Sequence, residues 1–279
     1  QHGAAHLVPV GQPSPVVVAV VQRRPTLDIT TMGRFEVRID GQIVPIPITK
    51  STELLVWLAL HGPARREVII DALWDGSNER RHAEYFRFGI RRLRSSLSEH
   101  PGVEFNPIPF EADHYQIAEH FEVNIDAHTF EQRFDPEGAA HLEQSLLRCT
   151  GDFMPQLEAQ WAEERRTRCR DGALSLAMSL AEHLRDAAPQ RALALYERFI
   201  ARDPLNEEVQ VAAIQLCHAI GDVRNSRRLL QAYESTLRSE LGERLPTRLQ
   251  RLDHRAVLPP EVVQAALGDL TNQSRPAQI

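Results

Sequence analysis

Between residues 27 and 48 apolar and polar positions alternate in short runs, at 27–30, 34–39 and 42–46, with Asp40-Gly41 as a two-residue turn. That pattern predicts a small antiparallel sheet. The period then changes to that of a helix. Thr49 is placed to cap a first helix with Glu53 in its first turn, Leu54, Leu55 and Leu58 share its inward face, and Gly62-Pro63 ends it. A second helix, about 65–74, turns Val68, Ile69 and Leu73 to the core and stops at Asp75-Gly76. A third, about 80–98, sets Ala83, Phe86, Ile90, Leu93 and Leu97 three or four residues apart, one continuous buried stripe. After Pro101-Gly102, residues 103–110 and 114–117 are extended and joined by Glu111-Ala112-Asp113, a hairpin in spite of Pro107 and Pro109. Sheet, three helices and hairpin together predict a winged helix.

Beyond Asn124 helical periodicity dominates to residue 251, with breaks at Gly151-Asp152, Ala188-Pro189, Asp203-Pro204 and Gly221-Asp222. Residues 192–197 align with residues 229–234 at a displacement of 37, near the ~34 of tetratricopeptide (TPR) units. Leu195, Tyr196, Phe199, Leu229, Leu230 and Tyr233 are the expected core of these stacked hairpins. The fold class is therefore mainly α: an α+β winged helix-turn-helix domain followed by an all-α TPR-like helical-repeat domain. The expected division is 1–25 linker, 26–120 winged helix, 124–252 helical repeats and 253–279 tail, with a short helix at 261–267 and few contacts crossing the boundary at 119–124.

Charge changes this picture at one place. The 279 residues carry a net charge of -6 and are 42% hydrophobic, enough for real cores and unlike a chain that coats nucleic acid non-specifically. Yet Arg80, Arg81, Arg87, Arg91, Arg92 and Arg94 on the third helix face only Glu84, six minus one, a local +5. An exposed helix ordinarily mixes signs to gain i,i+4 pairs, so this imbalance points to phosphate or to guanine, both of which guanidinium can hold through paired bonds. Tyr85 and Phe88 flank the buried stripe, where each either completes the core or reaches a thymine methyl.

Other chemistry is excluded by context. Thr49-Lys50-Ser51-Thr52 has the end of a phosphate-binding loop without its glycines, and helix capping explains it. The 12 histidines lack metal-ligand spacing, and His61, His120, His128 and His218 are expected in exposed or capping roles. Cys149, Cys169 and Cys217 form neither a disulfide framework nor a CxxC site, and Glu163-Glu164 diverge on a helix. No metal, no cofactor and no enzyme activity are expected. The Val16–Val21 run is too short to span a bilayer and lacks a preceding basic region, which predicts a cytoplasmic protein with no membrane partner. With no initiator Met, residues 1–25 look like a linker from a longer chain.

Residues 49–60, Arg66-Glu67, Leu73-Trp74 and above all Ile90-Arg91-Arg92-Leu93-Arg94 resemble the OmpR/PhoB-type winged-helix domain, a phosphorelay-type output domain. Residues 148–153, 161–166, 203–208 and 239–243 resemble the bacterial transcriptional activator domain. Together these are the two modules of SARP-type activators, and the resemblance covers residues 27–252. It implies a transcription regulator whose third helix enters the major groove of double-stranded DNA, bound as a homodimer on direct repeats, with residues 75–79 facing RNA polymerase. Arg87, Arg91, Arg92 and Arg94 are then the main DNA contacts, Arg92 the first choice for reading bases, and Arg80 and Arg81 phosphate grips. The hairpin tip departs from the family pattern in lacking a basic wing residue, leaving His114 as its candidate contact. Gly89 stands where a polar residue is usual, and a glycine there permits close approach of the backbone. The alternative is a TPR-like protein-interaction scaffold without specific DNA binding.

Overall fold

The computed structural model describes residues 23–47, 49–74, 80–247 and 249–250. Most of the expected linker, the 75–79 loop, the short helix at 261–267 and the tail lie outside the described residues.

Alternation builds the sheet. β1 (Thr26–Thr30) buries Leu27 and Ile29, and β2 (Glu36–Ile39) buries Val37 and Ile39. The two run antiparallel, and Asp40 and Gly41 turn the chain at φ 48° and 81°, the paired positive φ of a two-residue hairpin. β3 (Gln42–Ile43) is shorter than the alternation predicts, because Pro45 and Pro47 follow and prolines supply no ladder donors. A further strand, β6 (Glu122–Ile125), lies parallel to β1 and gives the order β3-β2-β1-β6. The sequence reading missed it, since only Ile125 of its four residues is buried.

α1 (Thr49–His61) begins one residue earlier than expected, so Thr49 lies within the helix and is not its cap. Gly62 closes α1 at φ 76°. α2 (Arg66–Leu73) buries Ile69, Ile70 and Leu73 and leaves Val68 52% exposed, against expectation. At ~100° per residue a face centred on positions 69, 70 and 73 turns position 68 outward. α3 (Arg80–Ser98) has the predicted extent. The hairpin contracts to β4 (Phe110–Glu111) and β5 (His114–Tyr115), with Ala112 and Asp113 at φ 47° and 67° in its turn. Tyr115 exchanges two backbone hydrogen bonds with Ala64, 2.8 and 3.0 Å, which pins the hairpin to the loop after α1.

Further helices follow: α4 (Asp126–Thr129), α5 (Ala139–Arg148), α6 (Gln160–Leu184), α7 (Pro189–Arg202), α8 (Glu207–Ala219) and α9 (Val223–Glu240). From α6 onward each packs on the next, as stacked hairpins do. Asn206 and Asp222 cap α8 and α9, accepting from the Val209 and Asn225 amides at 3.2 and 3.0 Å. Leu195, Tyr196, Leu229, Leu230 and Tyr233 are buried, whereas Phe199 is half-buried at a groove edge.

Few contacts were expected to cross the boundary at 119–124, yet the buried apolar residues of the two parts form one contiguous cluster. Asp126 accepts hydrogen bonds from the Thr31 and Met32 amides at 2.8 and 3.0 Å and from the Thr31 hydroxyl. Burial pushes its carboxyl above the ordinary aspartate range, against the pull of those donors. Beside it the Gly33 amide donates to the Asp152 carbonyl at 2.7 Å and the Met154 amide to the Thr31 carbonyl at 2.8 Å. A Cβ on Gly33 would sit 2.3 Å from Thr150 Oγ1 and 2.4 Å from the Gly151 nitrogen, so the two backbones cross where only glycine fits.

Candidate nucleic-acid interface

α3 buries His82, Phe86, Gly89, Ile90, Leu93, Ser96 and Leu97 along one side. Its exposed arc divides into two rows at helical spacing. Arg81, Tyr85, Phe88 and Arg92 make one, and Arg80, Glu84, Arg87 and Arg91 the other; all eight are exposed. Among the described residues Glu84 is the one acid on this helix, so the arc is an arginine surface with aromatic residues on one flank. Arg87 Nε donates to the Ala83 carbonyl at 3.2 Å, and the Arg92 guanidinium lies 5.6 Å from the centroid of the Phe88 ring. Tyr85 and Phe88, 55% and 47% exposed, do not complete the core.

Three contacts hold α3 in place. Gly89 packs on α1: its carbonyl accepts from Ser51 Oγ at 3.1 Å, and a Cβ there would come 2.7 Å from Leu54 Cδ1. The glycine thus serves close packing of two helices, and its expected role of letting backbone approach DNA is withdrawn. Phe86 meets Tyr115 edge to face at 4.9 Å. Arg94 is half-buried and donates twice to the Ile108 carbonyl, at 2.9 and 2.6 Å, fastening the segment before the hairpin to α3. Two of the guanidinium nitrogens of Arg94, expected from the sequence as a DNA contact, are thus taken by the protein's own backbone.

The hairpin tip is acidic. Glu111 accepts from Gln116 Nε2 at 3.4 Å, and Asp113 pairs with Arg65 at 3.4 Å. His114 is half-buried, its Nδ1 2.7 Å from the Ala112 carbonyl, so one ring nitrogen closes the tip's own turn. Arg65, paired with the hairpin, and Arg66, paired with Glu67 at 2.7 Å, are exposed and were not among the DNA contacts expected from the sequence. Their signal was a pair of basic residues directly after the Gly62-Pro63-Ala64 break, a segment taken as a helix start and, at Arg66-Glu67, as part of the family resemblance. Two carboxylates beside a phosphate chain repel it within about one Debye length, ~10 Å at 0.1 M salt. The Glu111→Gln, Asp113→Asn double variant should therefore bind a duplex of arbitrary sequence about three- to tenfold more tightly and with a steeper salt slope. Unchanged affinity in a fluorescence-anisotropy titration would place the hairpin away from the duplex.

Elsewhere the tempting groups have structural occupations. Lys50 pairs with the buried Glu53 at 2.9 Å and donates to the Leu73 carbonyl at 2.7 Å, while Trp161 Nε1 donates to Glu53 at 3.2 Å, so α1, the end of α2 and the start of α6 meet at one carboxylate. His61 stacks on Trp57 at 4.5 Å, and burial lowers its pKa. All three cysteines are buried free thiols, and burial pushes Cys169 up to about 12 and Cys217 to about 11. Among the described residues no group of three ligating side chains is placed to hold a metal, and no helix is long and apolar enough to cross a membrane.

The fold and the arginine face define a winged helix-turn-helix unit joined to helical repeats. The family model described as the bacterial transcriptional activator domain matches residues 118–258, and the chain belongs to that family, in the SARP-type arrangement. A solved structure of EmbR from Mycobacterium tuberculosis, in complex with a low affinity phosphopeptide, aligns with a TM-score of 0.59 at 18% identity, over 89% of this chain and 71% of that one. The two share a fold. None of the curated proteins matches the sequence.

Proposed function

We propose that this member of a transcriptional activator family binds double-stranded DNA sequence-specifically and activates transcription by recruiting RNA polymerase. The observation that carries the reading is the exposed arc of α3, five arginines against one glutamate, on a helix whose opposite side is fully occupied by its own core. A scaffold that never met DNA would gain nothing from setting Arg80, Arg87, Arg91 and Arg92 side by side on one helix with Glu84 as its one acid.

Residues 26–120 are the DNA-gripping unit in this reading, and residues 124–252 the activator unit, with β6 lying across their junction. Arg80, Arg81, Arg87 and Arg91 hold phosphate and Arg92 addresses a base edge. Two copies bind direct repeats. The polymerase contact is assigned to the segment 75–79, which lies outside the described residues.

Affinity for duplex DNA measured across a salt series tests the grip. About four phosphate contacts per copy predict log K falling with log salt at roughly -0.9 per contact, near -3.6 for one copy and twice that for two. A protein that binds its repeat-domain partner but shows no salt-dependent duplex affinity is the scaffold instead.

A further inference from the structure

Large exposed rings on an otherwise arginine-covered helix face lack an internal purpose, since Phe86, Ile90, Leu93 and Leu97 already fill the core side of α3. Tyr85 and Phe88 stand in the same row as Arg81 and Arg92, and the opposite row carries no aromatic residue. Within that row Phe88 lies under the Arg92 guanidinium, 5.6 Å from centroid to carbon, at i,i+4 spacing. Arg91, at i,i+3 from Phe88, is also a neighbour by spacing, but the guanidinium found over the ring is that of Arg92.

A guanidinium on a flexible stem loses rotamer freedom when it is fixed on a base, and one already resting on a ring loses less. The feature of the major groove that suits a planar two-donor edge is guanine, through O6 and N7. The feature that suits an exposed apolar ring is the C5-methyl of thymine. We propose that Phe88 and Arg92 act as a single reading unit that selects a guanine with an adjacent thymine: Arg92 bonds the guanine while Phe88 steadies the guanidinium and covers the methyl, with Tyr85 one turn back widening the apolar contact. Phe88 is then a positioning and specificity residue in addition to a contact. This inference rests on the reading that α3 enters the major groove, and it adds the base step that the helix reads.

The test uses the full chain, duplexes selected from a random pool, and the same duplexes with thymine replaced by uracil, which removes only the methyl. For the wild type, a thymine beside the preferred guanine and a three- to tenfold loss on uracil substitution at that position are expected. Phe88→Ala should lose the uracil effect altogether and relax the guanine preference. Phe88→Leu keeps an apolar side chain but no π face, so it should retain sensitivity to uracil while its guanine preference relaxes. Both substitutions are at an exposed position, and unchanged thermal melting checks that the fold is intact. A selected motif to which uracil is indifferent, or a full guanine preference in Phe88→Leu, overturns the inference and leaves DNA binding standing. Recovery of no motif by the wild type overturns both.

Discussion

Gly33→Ala is expected to lower the stability of the protein by about 3 kcal/mol or more, out of proportion to the single methyl added. Overpacking alone costs roughly 1–3 kcal/mol in a well-filled site, and here the new Cβ would meet the Gly151 backbone nitrogen at 2.4 Å, which cannot swing aside as a side-chain end can. Gly33 also sits at φ 89°, a conformation that costs a residue with a Cβ about 1–2 kcal/mol more. At roughly 2–4 °C per kcal/mol in a protein of this size, the melting temperature should fall by about 6–12 °C. Gly41→Ala is the control. It has the same backbone sign, φ 81°, with nothing within 4 Å of the added Cβ, so it carries the conformational cost alone. Equal shifts for the two variants in thermal unfolding would mean that the loop 31–35 and the Thr150-Gly151 segment do not cross as closely as described.

Arg91→Ala and Arg92→Ala should both weaken DNA binding, but in different ways. The two residues occupy different rows of α3, ~100° apart, and cannot address the same feature of the groove. Arg91 shares its row with Arg80, Glu84 and Arg87, three arginines to one acid, a net positive line suited to a phosphate chain. Arg92 shares its row with two exposed aromatic rings and rests on one of them. Loss of Arg91 should reduce affinity for every duplex alike and lower the salt slope by about one. Loss of Arg92 should cost roughly 1–3 kcal/mol on the selected site, much less on a scrambled one, and relax preference at one base position. Affinities for both duplexes across a salt series separate these outcomes. Identical behaviour of the two variants would mean that the rows do not divide their work.

The sequence was most legible where a period was sustained. The third helix, with five apolar residues at three- and four-residue steps, runs from Arg80 to Ser98 as predicted, and the family fold follows from the elements around it. Short elements were harder to read. β6 has four residues of which only Ile125 is buried, and the parallel partner that makes it a strand lies about a hundred residues earlier, beyond any local pattern. Val68 was misassigned because a cluster of three consecutive apolar residues cannot all face one side of a helix, and Ile70 took the inward place.

At the candidate site, charge was legible and commitment was not. Six arginines were visible on α3, but that Arg94 is spent on the Ile108 carbonyl depends on where the pre-hairpin segment passes, which no spacing reveals. Gly89 is a similar case: its reason is Leu54 and Ser51 on another helix. The shared core between the two parts was likewise hidden, because Gly33, Thr150 and Gly151 are small residues whose importance comes only from the backbones they bring together.

Selection of duplexes from a random pool by the full chain, followed by sequencing, tests the central claim most directly. A DNA-reading regulator should recover a short motif present twice in the same orientation, with two copies of the protein bound at saturation. A wild-type pool that stays random after repeated rounds, or recovery of the same motif when all five exposed arginines of α3 are replaced, would contradict the claim that this helix reads DNA.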